Sequence, residues 1–481
     1  MIKIGIAATR RFVFSKEDAH KYKDLVLEKL KGMDDIEVVD IESINAEGLL
    51  FDNDAHADAI IDLFIREKVD AVFFPHTNFG TENTVCRVAK GVGKPVLLWG
   101  PRDEDPLEDG FRLRDTQCGL FATGKILRRF NIPFTYVPNT RLDDPIFERG
   151  LKNFIAAVHV VKAMKTLRIL QISTRPAGFW TMMYNEGELL EKFGIEVYPI
   201  SLVEIKDTTD AFYNSESKEV EDVIKLITDK LDVSKMAPES IRRVASLKVA
   251  MKDYVTKKGC KAIAIQCWSA LQDAMHIMPC LANAILTDEF IPVTCETDFH
   301  GAITSIMAQE AALRSTPTFF ADLTVRHSQN ENGELLFHCG NFPLSLACES
   351  AHATMDNHFL FDEHAPGTHE TEIVGGDMTI LRFDGDHGEY KLFMGHAKGI
   401  QGKYTRGSYV WIEVDNWIKW ERKLVEGPYV HHSVGIHADV IPVLYEAVKY
   451  IPGIELDLVD TTTDDIVSWL NGGEKSWIPN K

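Results

Sequence analysis

Hydrophobic positions divide the chain into three textures. Over the first 165 residues, short apolar runs alternate with stretches of helical period. The runs are IKIGIAA, IEVVDIE, VDAVFFPHT, KPVLLWG and FTYVP, and residues 15–31, 55–68, 82–91 and 117–130 carry the helical signal between them. Strands separated by helical segments of about 10–15 residues imply right-handed βαβ units and a parallel sheet. Residues 146–165 predict a long helix leading out. The pattern then restarts with LRILQIS, IEVYPISL, CKAIAIQCW and IPVTCETD as strands, with helices over 181–193, 220–231, 238–258 and 270–286. After about residue 345 the runs TEIVGGDMTILRFDG, GEYKLFMGHAKG and SYVWIEVDNW alternate apolar with polar and are punctuated by Gly and Asp. That texture predicts an antiparallel sheet or small barrel, closed by a helix over 441–450 and the strand-like IELDLV. The expected fold is α/β: two Rossmann-like parallel-sheet α/β domains (1–165 and 166–345), then a C-terminal antiparallel, barrel-like β domain (346–481).

Composition narrows the function classes. A chain of 481 residues, 45% hydrophobic and 26% charged, is an ordinary globular sequence too long for one core. Its net charge of -20 disfavours nucleic acid and anionic membranes as partners. No apolar run reaches the ~18–20 residues of a membrane helix, and the opening MIKIGIAATRRF reads as a strand and not as a secretory signal. A cytoplasmic protein is expected. Eight cysteines without CxxC spacing, mostly in apolar runs, read as buried thiols without disulfides. Neither GxGxxG nor GxxxxGK[ST] follows an early strand, so no nucleotide cofactor is expected.

The chemistry concentrates in residues 291–340. Glu296, Asp322 and His338 each follow an apolar β-rich run: IPVTC, PTFFA and ELLF. A carboxylate just past a buried strand is held rigidly at the edge of a core, where binding sites form. Two carboxylates and an imidazole suit Mn²⁺ or Mg²⁺ better than a thiolate-rich zinc site. The alternative is structural: Glu296 capping a helix, Asp322 paired with an arginine, His338 hydrogen-bonded in a core. Asp298, just before the next helix, is assigned as that helix's cap, and Cys339 reads as a structural thiol. His431 and His432 form a second imidazole cluster. If both lie on a strand they point to opposite faces, so at most one serves a given site. His396 and His437 are weaker candidates. Gln266 and Trp268 end a strand, where an amide and an aromatic face suit a polyol, or simply packing. Arg10 and Arg11 follow the first strand, where α/β sheets bind ligands; ion pairing is the default.

The ordered set CW, CETDFHGAITS, FFADL, LFHCGNFP and HHS resembles the L-fucose isomerase/L-arabinose isomerase family, most specifically over residues 267–343. The resemblance implies the fold just described and a Mn²⁺-dependent aldose–ketose isomerase working through an ene-diol. Mg²⁺ or Co²⁺ remain possible metals. It implies Glu296 and Asp322 as catalytic carboxylates and metal ligands, His338 as a further ligand, and His432 or its neighbour His431 as the C-terminal ligand. It also implies a small-molecule sugar substrate and a homo-oligomer, trimer or hexamer, in which Arg10 or Arg11 serves a neighbour's site. Gln266, Trp268, Arg11 and His431 are the substrate-binding candidates. The N-terminal half diverges from the fucose type, so the sugar does not carry over. Two other classes stay open: a non-catalytic sugar-binding or regulatory protein of the same fold, and an epimerase or aldolase using the same ene-diolate.

Overall fold

The computed structural model describes residues 1–33, 35–360 and 365–475. The chain resolves into two compact units. One comprises residues 1–162 and 442–451 and a last segment from 463; the other comprises 163–441 and 452–462.

The first unit is built on a parallel sheet ordered Ile36–Asp40, Ile2–Ile6, Ala71–Pro75, Val96–Trp99, Thr135–Tyr136. Its central strand Ala71–Pro75 is buried throughout, as the continuous apolar run VDAVFFP requires. Residues 442–451, which include most of helix Ile441–Val448, join this unit. Tyr450 donates to the Val96 carbonyl at 3.0 Å, and the Thr135 hydroxyl donates to Glu446 at 2.7 Å.

The second unit carries a parallel sheet ordered Glu196–Ile200, Arg168–Ile172, Ala262–Ile265, Val293–Thr294. It also carries an antiparallel barrel. Strands Ser408–Glu413, Gly333–His338, Phe319–Arg326, His432–Ile436, Asp377–Asp386 and Glu389–Ile400 pair in that order, and the last pairs back to the first. Closure removes the edges an open antiparallel sheet would expose. Phe319, Ala321, Leu336, Ile380, Phe393 and Val410 belong to one apolar core cluster here. Helix Phe299–Ala311 is buried along its whole length and packs on the barrel strands, and its buried polar side chains include His300, Thr304 and Ser305.

The architecture expected from the sequence is therefore present: parallel α/β sheets and an antiparallel barrel-like sheet. Local details differ. The helix expected over 270–286 is two, Ala270–Met275 and Cys280–Asp288, because His276 takes a left-handed φ of 56° and Pro279 follows. Helix Leu202–Tyr213 was not expected, although Ser201 and Glu204 form a capping box at its start. Likewise, the expected strand SYVWIEVDNW stops at Glu413, and Asn416 caps a helix over Trp417–Glu426. Among the described residues no helix is long and apolar enough to cross a membrane.

Candidate metal centre

The parallel sheet of the second unit delivers its strand ends to one edge, where open α/β sheets present ligands. Strand Val293–Thr294 runs straight into Cys295, Glu296 and Thr297. Glu296 and Thr297 both adopt left-handed backbone, with φ of 58° and 61°. Each such non-glycine residue costs about 1 kcal/mol or more and persists only where its surroundings enforce it. The strained turn leaves the Glu296 carboxylate buried.

Asp322 and His432 come from the barrel. They are direct cross-strand partners in the antiparallel ladder, so their side chains share one face. Phe319 and Ala321 belong to the barrel's apolar cluster, and alternation turns Asp322 the other way. His338 is the last residue of its strand.

These residues meet. His432 Nε2 lies 2.8 Å from Glu296 Oε2 and 3.3 Å from Asp322 Oδ1. Glu296, His338 and His432 each place one ligand atom within 4.8 Å of the others, and so do Asp322, His431 and His432. The remaining imidazole nitrogens are engaged elsewhere: His338 Nδ1 accepts the Cys339 amide at 2.9 Å, and His432 Nδ1 lies 2.9 Å from Asp298 Oδ2. His338 Nε2 is left buried without a hydrogen-bond partner, and His432 Nε2 and Asp322 Oδ1 have none beyond the close contacts just given. Buried orphans of this kind cost about 1–3 kcal/mol each unless something ligates them. A donor set of carboxylate oxygens and imidazole nitrogens fits a divalent cation of the Mg²⁺ to Mn²⁺ type. A thiol also meets the site: Cys267 Sγ donates to Glu296 Oε1 at 3.9 Å.

The electrostatics agree with this arrangement. Burial alone would raise the Glu296 carboxyl, but His432 outweighs it and holds the group below its ordinary value. Burial would lower His432, and the carboxylates of Asp298 and Glu296 instead push it up to about 10. His338 is also raised against burial, by Cys295, Asp322 and Glu296.

Asp298 does accept the Gly301 amide at 2.8 Å as the cap of helix Phe299–Ala311. It does more than cap. Besides orienting His432, it receives Arg382, which also donates to Asp384 at 2.8 Å. Asp384 in turn lies 2.7 Å from His300 Nδ1. Sequence reasoning missed Arg382 and its partners. The available signal was the Arg382–Asp384 pair in LRFDG, two residues apart on one strand and so on one face.

His431 corrects a second expectation. Its ring lies 4.3 Å from that of His432, not on an opposite face. The strand begins only at His432, so strand alternation does not yet govern His431. His431 is exposed whereas His432 is buried.

The other candidates are more dispersed. Gln266 Oε1 accepts from Ser173 at 2.7 Å, at the same sheet edge as Glu296. Trp268 packs edge-on against His358, with ring centroids 6.1 Å apart. Arg11 lies in the first unit, where it donates to the Gly80 carbonyl at 2.9 Å, pairs with Glu82 and covers the Phe79 ring. Arg10 pairs with Glu47 at 3.2 Å. His396 lies 3.1 Å from Asp439, and His437 lies 2.9 Å from the Val374 carbonyl.

Comparison with known proteins places the chain. Residues 5–165 match the family described as the fucose/sulfoquinovose isomerase N-terminal domain. A sulfoquinovose isomerase of Priestia aryabhattai is 24% identical over 454 residues, covering 91% of this chain and 94% of that protein. One from Alkalicoccus urumqiensis is 25% identical over 420 residues, covering 82% and 89%. One from Clostridium sp. (strain MSTE9) is 27% identical over 256 residues, covering 53% and 55%. The family resemblance carried by the motifs is matched by relatives along nearly the whole chain: this protein is a relative of the fucose and sulfoquinovose isomerases.

Proposed function

We propose that this protein is a divalent-metal-dependent aldose–ketose isomerase acting on a sulfonated hexose of the sulfoquinovose type. The observation that carries this is the pair of ligand groups that share His432, Glu296 and His338 on the buried side and Asp322 and His431 on the more open side, with ligand atoms left unsatisfied. The relatives' activity supports the reaction class.

Glu296, Asp322, His338 and His432 would hold the metal, with His431 flanking. A bound Mn²⁺, Mg²⁺ or Co²⁺ would polarise the sugar carbonyl and its neighbouring hydroxyl. Isomerisation then needs a base to take the proton from the carbon beside the carbonyl and an acid to return it one carbon along. Glu296 and Asp322 are the two carboxylates positioned for this, passing through a cis-ene-diol. Glu296 is enclosed, and the Asp322 side chain keeps 22% of its surface exposed, so Asp322 is the one that exchanges with solvent. Asp298 fixes the His432 tautomer through Nδ1, as partners of metal-ligating histidines generally do. Gln266 and Trp268, at the same edge, are proposed to face the sugar. A cytoplasmic homo-oligomer belongs to the same reading through the family.

The test is turnover of sulfoquinovose to its ketose with Mn²⁺, after chelation and after re-addition. In deuterated water the ketose should carry deuterium at the former carbonyl carbon, which receives the returned proton, without C–C cleavage. Full activity after exhaustive chelation would sink the metal assignment, and cleavage products would sink the isomerase.

A further inference from the structure

A second space lies beside the metal centre. It is a cavity of about 340 Å³ whose walls are largely apolar, Met182 and Met183 among them, with Gln171, Thr174, Arg175, Tyr184 and Thr297 as its polar groups. Thr297 ties it to the centre, since it directly follows Glu296 in the strained turn. Tyr184 ties it to the same turn from the other side: its ring stacks on Phe299 at 4.0 Å, one residue past Asp298.

The cavity's charge is unusual for a chain of net charge -20. Its lining includes Arg175 and no Asp or Glu. Most described arginines sit against a carboxylate; Arg175 is held instead by backbone, with one guanidinium nitrogen donating to the Pro176 carbonyl at 3.2 Å and the Ala177 carbonyl at 3.1 Å. That grip fixes the fork and spends no carboxylate. Gln171 is already committed, donating to the Ser173 carbonyl at 2.8 Å and accepting from Tyr184 at 3.2 Å. Thr297 is not: its hydroxyl is 2% exposed by residue and has no partner. A buried hydroxyl pays for its desolvation only when something accepts from it.

We propose that this cavity is an anion subsite that receives the tetrahedral oxyanion on the far end of the sugar, with Arg175 as its charge partner and Thr297 as its buried hydroxyl donor. A planar guanidinium with free N–H groups is suited to two oxygens of such a group. A single Arg with no second cation matches one negative charge, that of a sulfonate, better than the two of a phosphate ester. The assignment rests on the isomerase reading for what sits at Glu296, and it adds the residues that would select the substituent.

The test compares hexoses that differ only at the terminal carbon: sulfonated, phosphorylated and uncharged. For Arg175→Met the kcat/KM preference for the sulfonated over the uncharged sugar should fall about 30- to 100-fold, mainly through KM. Arg175→Lys should recover part of it, and Thr297→Val should cost about five- to tenfold. Circular dichroism of each variant separates these losses from misfolding. A preference that stays within threefold of wild type in Arg175→Met overturns the subsite. A wild-type preference for the phosphorylated sugar overturns the sulfonate assignment and retains the anion subsite. If the wild type isomerises none of the three sugars, the isomerase reading fails. Calorimetry of the sulfonated hexose on the Mn²⁺-supplied protein then judges the subsite separately. Binding lost in Arg175→Met supports it; no wild-type binding, or equal binding in both, overturns it.

Discussion

Two acidic clusters share one histidine in the second unit, and they balance their charge differently. Asp298 and Asp384 are bridged by Arg382, a permanent cation, and His300 completes the group. Glu296 and Asp322 have no Lys or Arg at ion-pair distance among the described residues; both lean on His432. The first cluster is closed: burial penalises its carboxylates, and Arg382 pulls Asp298 well below the ordinary range. The second is open, with two carboxylates and the imidazoles of His338 and His432 in two groups that share His432, and buried atoms left unpartnered among them. A buried charge cluster that compensates itself is architecture. One that leaves its ligand atoms unsatisfied is where the proposed cation would sit.

The largest effect should come from breaking the closed cluster. Arg382→Met strands two buried carboxylates, and removing one partner of a buried pair typically costs about 3–5 kcal/mol. Urea denaturation in chelator should show a loss of that size. A loss under about 1 kcal/mol would mean that the cluster does not hold barrel and helix together, and the contrast with the open cluster would dissolve.

The open cluster should respond in the opposite sense. Glu296→Gln should lower turnover by about a thousandfold or more, as loss of a group acting in proton transfer does. In chelator its stability should stay within about 1 kcal/mol of wild type, since no fixed cation is left unpaired. Mn²⁺ should raise the wild-type melting temperature; at a hundred times Kd the stabilisation is about 2.7 kcal/mol. The variant should lose most of that rise. An equal rise in both would remove Glu296 from the metal site.

Asp298 joins the two clusters, and Asp298→Asn tests the joint. It keeps the cap acceptor for Gly301 but weakens the hold on His432 Nδ1. Loss of such a supporting partner typically costs about 10- to 100-fold in metal affinity. Calorimetry with Mn²⁺ on the folded variant reads it directly, and an unchanged Kd would confine Asp298 to the cap and its pair with Arg382.

Much of the open cluster was legible in the sequence because strand ends announce themselves. Glu296 follows IPVTC, Asp322 follows PTFFA and His338 follows ELLF, and each sits where an apolar run stops. What was not legible is pairing over distance. Arg382 and Asp298 stand 84 positions apart, and nothing in either local pattern names the other. The run PTFFADL reads equally well as a parallel or an antiparallel strand; only its register against His432–Ile436 places it in the barrel. The strained turn at Glu296–Thr297 was hidden for a further reason: left-handed backbone at Glu and Thr has no propensity signal, because the fold imposes it against preference.

A third buried carboxylate serves as a control, belonging to neither cluster. Glu334 lies on the barrel, 3% exposed, with Arg326 no closer than 3.9 Å. Burial is the main cause raising its pKa from the ordinary 4.5 to about 7, and Arg326 offsets it only partly. Because the folded pKa lies above the unfolded one, the native state prefers Glu334 protonated. Its favourable contribution is complete below about pH 4.5, falls away as pH rises to about 7, and is gone above that. Glutamine cannot titrate, so the stability of Glu334→Gln relative to wild type should climb by roughly 2–3 kcal/mol between pH 4.5 and 7.5. Denaturation at a series of pH values in that window measures the climb. A flat difference would mean that a lone buried carboxylate here is compensated already. Unsatisfied carboxylates would then stop being a guide to where a cation belongs, and the contrast between the two clusters would lose its force.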